Sequence, residues 1–119
     1  MDRDSLSEMH QGEPVALLRI YIGESDRWKG KPLYEAIMLT ARESGMAGCT
    51  VMRAVAGFGA NSRIRTARVL RLSMDLPIVV ELVDLTAKLE TFVGQIEEMI
   101  KDGLVIIEPV DVRIYRSGK

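Results

Sequence analysis

Cysteine and histidine are nearly absent: Cys49 and His10 occur once each. A single cysteine excludes a disulfide within the chain and fits a reducing compartment. A transition-metal centre needs three or four converging ligands, which this pair does not supply, so no metal site is expected. Aromatic residues are scarce as well, with three Tyr, two Phe and one Trp, which leaves few platforms for stacking nucleic-acid bases. Neither sign of charge dominates. Sixteen Lys and Arg stand against 17 Asp and Glu, for a net charge of −1, so bulk electrostatics point neither to nucleic acid nor to a membrane surface. No apolar run approaches the roughly 20 residues needed to cross a bilayer. Residues 1–14 lack the apolar segment of a signal peptide. A cytoplasmic location is expected. No Walker-type Gly-Lys-Ser/Thr sequence and no nucleophile–base pair are visible, so no catalytic residue is assigned and the chain is not expected to be an enzyme.

One absence is local. No Asp or Glu lies between Glu43 and Asp75, while residues 44–74 carry Arg53, Arg63, Arg65, Arg68 and Arg71. That stretch has a charge of +5, so the rest of the −1 chain carries −6. A long connection within a compact domain is uncommon and is usually functional or disordered. A like-charged one repels itself until an anion or an acidic partner neutralises it. The segment opens with Gly57-Phe58-Gly59. No third glycine follows at the spacing of a dinucleotide fingerprint, so this triplet reads as a turn at the base of a loop.

What is present reads as a single domain over residues 14–119 behind a flexible tail, 1–13. Val15–Ile22 is a first strand with apolar residues on both faces, so both faces should be covered. Pro32 fits the first helical position, and Leu33, Ala36, Ile37, Thr40 and Ala41 recur at helical spacing, with Gly45 as the stop. Cys49–Ala56 reads as a second strand. Ile64, Val69, Leu70 and Leu72 suggest that part of the arginine segment extends as a ribbon. Ile78–Val83 is a third strand. Thr86 is a plausible N-cap for a helix that presents Leu89, Phe92, Val93, Ile96 and Ile100 and ends near Lys101. Val105–Tyr115 is a last strand interrupted by Pro109, which cannot donate to a ladder. The order βαββαβ predicts an α+β, ferredoxin-like fold: a four-stranded antiparallel sheet with two helices on one face. Two helices leave the other face uncovered, and its apolar residues imply association with further copies.

Several motifs in this order carry a resemblance. They are Tyr21-Ile22-Gly23-Glu24, Gly30-Lys31-Pro32-Leu33-Tyr34-Glu35-Ala36, Gly57-Phe58-Gly59-Ala60, and Leu70-Arg71-Leu72-Ser73 followed by Asp75-Leu76-Pro77-Ile78-Val79-Val80-Glu81-Leu82-Val83-Asp84. The chain resembles an uncharacterised bacterial and archaeal family of PII-like proteins, from Val15 to about Arg116. The resemblance implies a trimer with the open sheet faces turned inward. It also implies that Gly57 to about Ser73 matches the long loop with which PII proteins contact targets. By the same analogy a nucleotide sits between subunits, with Gly57, Phe58 and Gly59 at the loop's base. Arg63, Arg65 and Arg68 would then meet phosphates or an acidic partner, with Arg113 near a neighbour's cleft. The implied effector is an adenine nucleotide, and the implied target is a membrane transporter or channel. PII proteins hold phosphates with a Gly- and Lys-rich loop before the last strand. Here that connection is only Lys101-Asp102-Gly103-Leu104, which leaves a smaller adenine nucleotide, a cyclic dinucleotide or no nucleotide. The alternatives are a non-enzymatic trimer of the metal-tolerance type and a nucleic-acid-binding ferredoxin-like module. No nucleic acid is the expected reading.

Overall fold

The structure is a computed structural model that describes residues 12–59 and 75–118, together with the backbone of 65–66. The expected tail through residue 11, and Arg63, Arg68 and Arg71, lie outside the described residues. Among the described residues the elements in chain order are β1 (Val15–Gly23), β2 (Arg27–Trp28), β3 (Lys31–Pro32), α1 (Leu33–Glu43), β4 (Thr50–Arg53), β5 (Ala56–Gly57), β6 (Arg65–Thr66), β7 (Pro77–Leu85), α2 (Thr86–Ile96) with a 3-10 turn at Glu97–Met99, and β8 (Leu104–Pro109). The main sheet has the order β4-β7-β1-β8, and all its pairings are antiparallel. This is the ferredoxin-like arrangement that the element order predicts.

The pleat explains the layers. Successive strand residues face opposite sides, and both β1 and β7 alternate strictly between half-buried and buried. Ala16, Leu18, Ile20 and Ile22 of β1 join Ile78, Val80 and Leu82 of β7 on the helix side. Leu33, Ile37 and Ala41 of α1 and Leu89, Phe92 and Ile96 of α2 complete that core, and Trp28 packs against it. The opposite face presents rows set by register. One row is apolar from end to end: Met52, Val79, Tyr21 and Leu104. The next is Thr50, Glu81, Arg19 and Ile106. Met52 and Leu104 remain 40% and 54% exposed, so apolar surface stands open to solvent on this face.

Several boundaries differ from the sequence reading, each for a local reason. The strand expected over Cys49–Ala56 stops at Arg53. The Ala54 N–H donates to the Pro77 carbonyl at 2.8 Å, but Pro77 has no N–H to return. Ala56–Gly57 then pairs with Arg65–Thr66 as a separate ribbon. A ribbon was expected here, though on Ile64, Val69, Leu70 and Leu72, which lie outside the described residues. The last strand ends at Pro109 and not at Tyr115, because its partner β1 begins at Val15; the Val110 N–H to Val15 carbonyl bond at 3.2 Å is the final link. Pro32 is the N-cap of α1, not its first helical residue. Thr86 is the first helical residue of α2, not its N-cap, and its N–H donates to the Pro14 carbonyl at 2.9 Å. The α1 stop is as expected. Gly45 takes φ 73°, its N–H reaches the Arg42 carbonyl, and the Met46 N–H reaches the Ala41 carbonyl, which closes a Schellman turn. Among the described residues no helix is long and apolar enough to cross a membrane.

Gly103 is fixed by contact and not by its dihedral angles. A Cβ there would lie 2.5 Å from the Tyr21 carbonyl oxygen and 3.3 Å from the side chains of Ile100 and Ile22. Gly94, in α2, has nothing within 4 Å of the same position. Gly103→Ala should therefore cost about 1–3 kcal/mol, a fall in Tm of roughly 4–15 °C. Gly94→Ala should instead stabilise by about 0.5–1 kcal/mol through helix propensity. Thermal melts of the two variants check this, and a Gly103→Ala protein as stable as wild type would contradict the packing described.

Candidate functional site

Two constellations lie at opposite ends of the sheet. The first is the base of the arginine segment. Gly57 pairs with Arg65 in the β5–β6 ribbon, so the structure brings these two predicted site residues together. Gly57 also packs flush on Pro77, where a Cβ would lie 3.1 Å from the proline ring. Phe58 and Gly59 follow on the surface, Phe58 71% exposed and Val55 beside it 80% exposed. The other foot is Asp75-Leu76-Pro77.

A corner after β1 grips both feet. The Glu24 carboxylate meets Arg53 Nε at 3.2 Å and accepts the Leu76 N–H at 3.4 Å, and the Glu24 N–H donates to the Leu76 carbonyl at 2.8 Å. Asp75 accepts both the N–H and the hydroxyl of Ser25, at 3.1 and 2.7 Å. These two bonds tie the second foot of the segment to the corner. The corner itself is acidic, Gly23-Glu24-Ser25-Asp26. Its carboxylates accept backbone N–H groups, including the Gly23 N–H on Asp26 at 2.9 Å. Arg113 does not join this site within one chain. It follows β8 at the other end of the sheet and pairs with Asp111 at 2.9 Å, both side chains being largely exposed.

The second constellation was not read from the sequence. A cavity of about 260 Å3 opens on the face away from the helices, lined by Leu17, Ala47, Gly48, Cys49, Thr50, Glu81, Val83 and Tyr115. A neighbouring cavity of about 220 Å3 is lined by Met38, Ala41, Arg42, Met46, Gly48 and Cys49. Gly48 and Cys49 border both, so they form the partition. Glu81 is already engaged: Arg19 Nε lies 2.8 Å from its carboxylate, and Arg19 Nη1 lies 3.5 Å from Glu108. The Glu81 hydrogen bond raises the Arg19 pKa further above its ordinary value. Behind the partition, the buried Asp84 carboxylate accepts the Ala47 N–H at 2.8 Å and the Leu85 N–H at 2.7 Å. Lys88 lies 3.9 Å from Asp84 and donates to the Gly45 carbonyl at 2.7 Å. The Tyr115 hydroxyl donates to the Ala47 carbonyl. Hydrocarbon from Leu17 and Val83, backbone from 47–49 and the hydroxyl of Thr50 suit a small ring with a polar edge. Among the described residues no cluster of three or more His, Cys, Asp or Glu side chains is placed to hold a metal ion.

Burial raises the Cys49 pKa above its ordinary 9.0, and burial, followed by the nearby Asp84 charge, raises Tyr115 above 10.0. The unfolded chain therefore releases these protons at lower pH than the folded one. The associated stability is complete below about pH 9 and is lost as pH rises through the raised values. Tm should fall between about pH 9 and pH 11, and less steeply in a Cys49→Ser/Tyr115→Phe variant. Identical slopes for the two proteins would contradict the assignment.

Comparison with known proteins places these features in context. The family described as "Uncharacterized ACR, COG1993" (DUF190) matches residues 15–112. A UPF0166 protein of Aquifex aeolicus is 38% identical over 96 residues, covering 81% of this chain and 90% of the relative. A UPF0166 protein of Methanocaldococcus jannaschii is 32% identical over 102 residues, covering 85% and 92%. Among solved structures, CPII of Thiomonas intermedia, described as bound to ADP and bicarbonate, is similar in fold with a TM-score of 0.63 at 15% identity, covering 83% of this chain and 88% of that one. The divalent ion tolerance protein CutA1 of Ehrlichia chaffeensis has a TM-score of 0.55 at 9% identity, covering 88% and 87%.

Proposed function

The chain belongs to the DUF190 family of PII-like fold, and on that premise we propose that it is a trimeric regulatory protein whose copies meet through their open sheet faces. It binds a small anionic ligand, an adenine nucleotide, where copies adjoin. It engages a target protein through residues 57–76, the class of target being a membrane transporter or channel.

The observation that carries this reading is the open-face cavity. It is a concave site of about 260 Å3 on the face whose apolar rows call for a covering copy. The ring of the nucleotide enters between Leu17, Val83 and the 47–50 segment, and its phosphates reach toward the next copy. There Gly57-Phe58-Gly59, Arg63, Arg65 and Arg68 meet them, with Arg113 contributed across the junction. Neutralising the arginines then orders the segment and changes what it presents to the target. The connection at Lys101–Leu104 favours a mono- or diphosphate. Gly103 is packed directly on the β1 backbone and leaves no loop to wrap a third phosphate. The same fold in a protein bound to ADP makes ADP the first ligand to try.

Thermal melts against AMP, ADP, ATP and cyclic dinucleotides provide the test. A ligand at about 100 times its Kd stabilises a two-state fold by about 2.7 kcal/mol, several degrees in Tm. ADP or AMP should give that shift, and Arg63→Ala/Arg65→Ala should lose most of it while melting normally without ligand. No shift with any nucleotide, or a full shift in the double variant, would contradict the proposal.

A further inference from the structure

The open-face cavity has a wall that two distant side chains hold from behind. We propose that Asp84 and Tyr115 are positioning residues for this cavity: together they clamp both backbone groups of Ala47 and so fix the 47–50 wall against which the ligand seats. The inference rests on the proposed ligand reading and adds to it the residues that shape the site.

A buried carboxylate is strongly unfavourable unless its oxygens are fully engaged. Asp84 is buried, and it spends one oxygen on the Leu85 N–H at 2.7 Å and the other on the Ala47 N–H at 2.8 Å. The Leu85 bond is local, between neighbouring residues. The Ala47 bond spans 37 residues and fixes a segment that belongs to neither helix nor strand. The carbonyl of that same residue accepts from the Tyr115 hydroxyl, 68 residues away. With the N–H and the C=O of one residue held by two side chains, the peptide planes on either side of Ala47 cannot rotate independently. The chain that follows, Gly48-Cys49-Thr50, is the wall of the cavity.

Tyr115 has a second role in the same place. The segment 110–118 has no strand pairing, yet it returns across the end of the sheet and brings the Tyr115 side chain to line the cavity. Position 48 leaves space, since a Cβ there would have nothing within 4 Å. The wall is thus open at Gly48, held at its far end by the pairing of Thr50 with Glu81 and at its start by the bonds to Ala47.

Cys49 reports on the wall directly, because it lies in it and is the only thiol in the chain. The experiment measures the rate at which the Ellman reagent modifies Cys49 in wild type and in Tyr115→Phe, with and without ADP. Phenylalanine keeps the ring and removes the hydroxyl that bonds the Ala47 carbonyl. Losing one such bond should speed labelling about five- to tenfold, through more frequent local opening. Asp111→Ala, which breaks only the exposed pair to Arg113 in the same segment, should label at the wild-type rate. Equal rates for wild type and Tyr115→Phe would overturn the brace, even where ADP protects both proteins. Faster labelling of Tyr115→Phe with no protection by ADP in either protein would uphold the brace and count against the nucleotide reading alone. ADP protection that is strong in wild type and weakened in Tyr115→Phe is the result expected if both hold.

Discussion

The register between β1 and β7 is the constraint from which the rest follows. Nine residues pair in sequence from Val15 with Leu85 to Gly23 with Pro77. Because side chains alternate across a sheet, a slip of one residue would turn Leu18, Ile20, Val80 and Leu82 out of the core and put Arg19 and Glu81 into it. The same register places Arg19 opposite Glu81 on the open face, where the ion pair forms. It also sets Gly23 against Pro77, where the corner that holds the arginine segment is built. At the opposite end it brings Asp84 to the junction with α2, within reach of Ala47. Both candidate sites are thus consequences of one ladder, one at each of its ends.

Charge is divided in a way that suits this layout. On the open face Arg19 lies between two carboxylates, beside a row that is apolar from end to end. Exposed pairs of this kind add little stability. Across a covered face they gain weight, because they penalise any register of the covering copy that leaves one of them unmatched. The acidic corner Glu24-Ser25-Asp26 is a set of acceptors for backbone N–H groups. It ties down the feet of a segment whose own charge is all of the other sign.

Much of this was legible in the residues. The alternation in Val15–Ile22, the helical spacing from Leu33 to Ala41 and from Leu89 to Ile96, and the stop at Gly45 each arise from interactions within one element or between an element and the core. The break after Arg53 was not legible, because Ala54-Val55-Ala56 reads as continuous strand and only the neighbouring Pro77 ends the ladder. The early end of the last strand depended in the same way on where its partner begins. The open-face cavity was invisible for a stronger reason. Leu17, Cys49, Glu81 and Tyr115 come from four separate parts of the chain, and each taken singly reads as an ordinary strand or loop residue. Arg63 and Arg68 carried the clearest local signal, a one-signed run, and that signal identifies chemistry without identifying place.

The central claim is that the open sheet face is covered by further copies of the same chain and that the ligand cavity belongs to that junction. Sedimentation equilibrium of the wild-type protein and of Val79→Asp, over a wide range of concentration, tests it most directly. Val79 sits in the apolar row of the open face, away from the core, so the substitution leaves the fold intact while placing a charge in the junction. The account predicts a wild-type mass three times that of the chain and a folded, monomeric Val79→Asp. A wild type that stays monomeric throughout, or a Val79→Asp protein with the same mass as wild type, would contradict it.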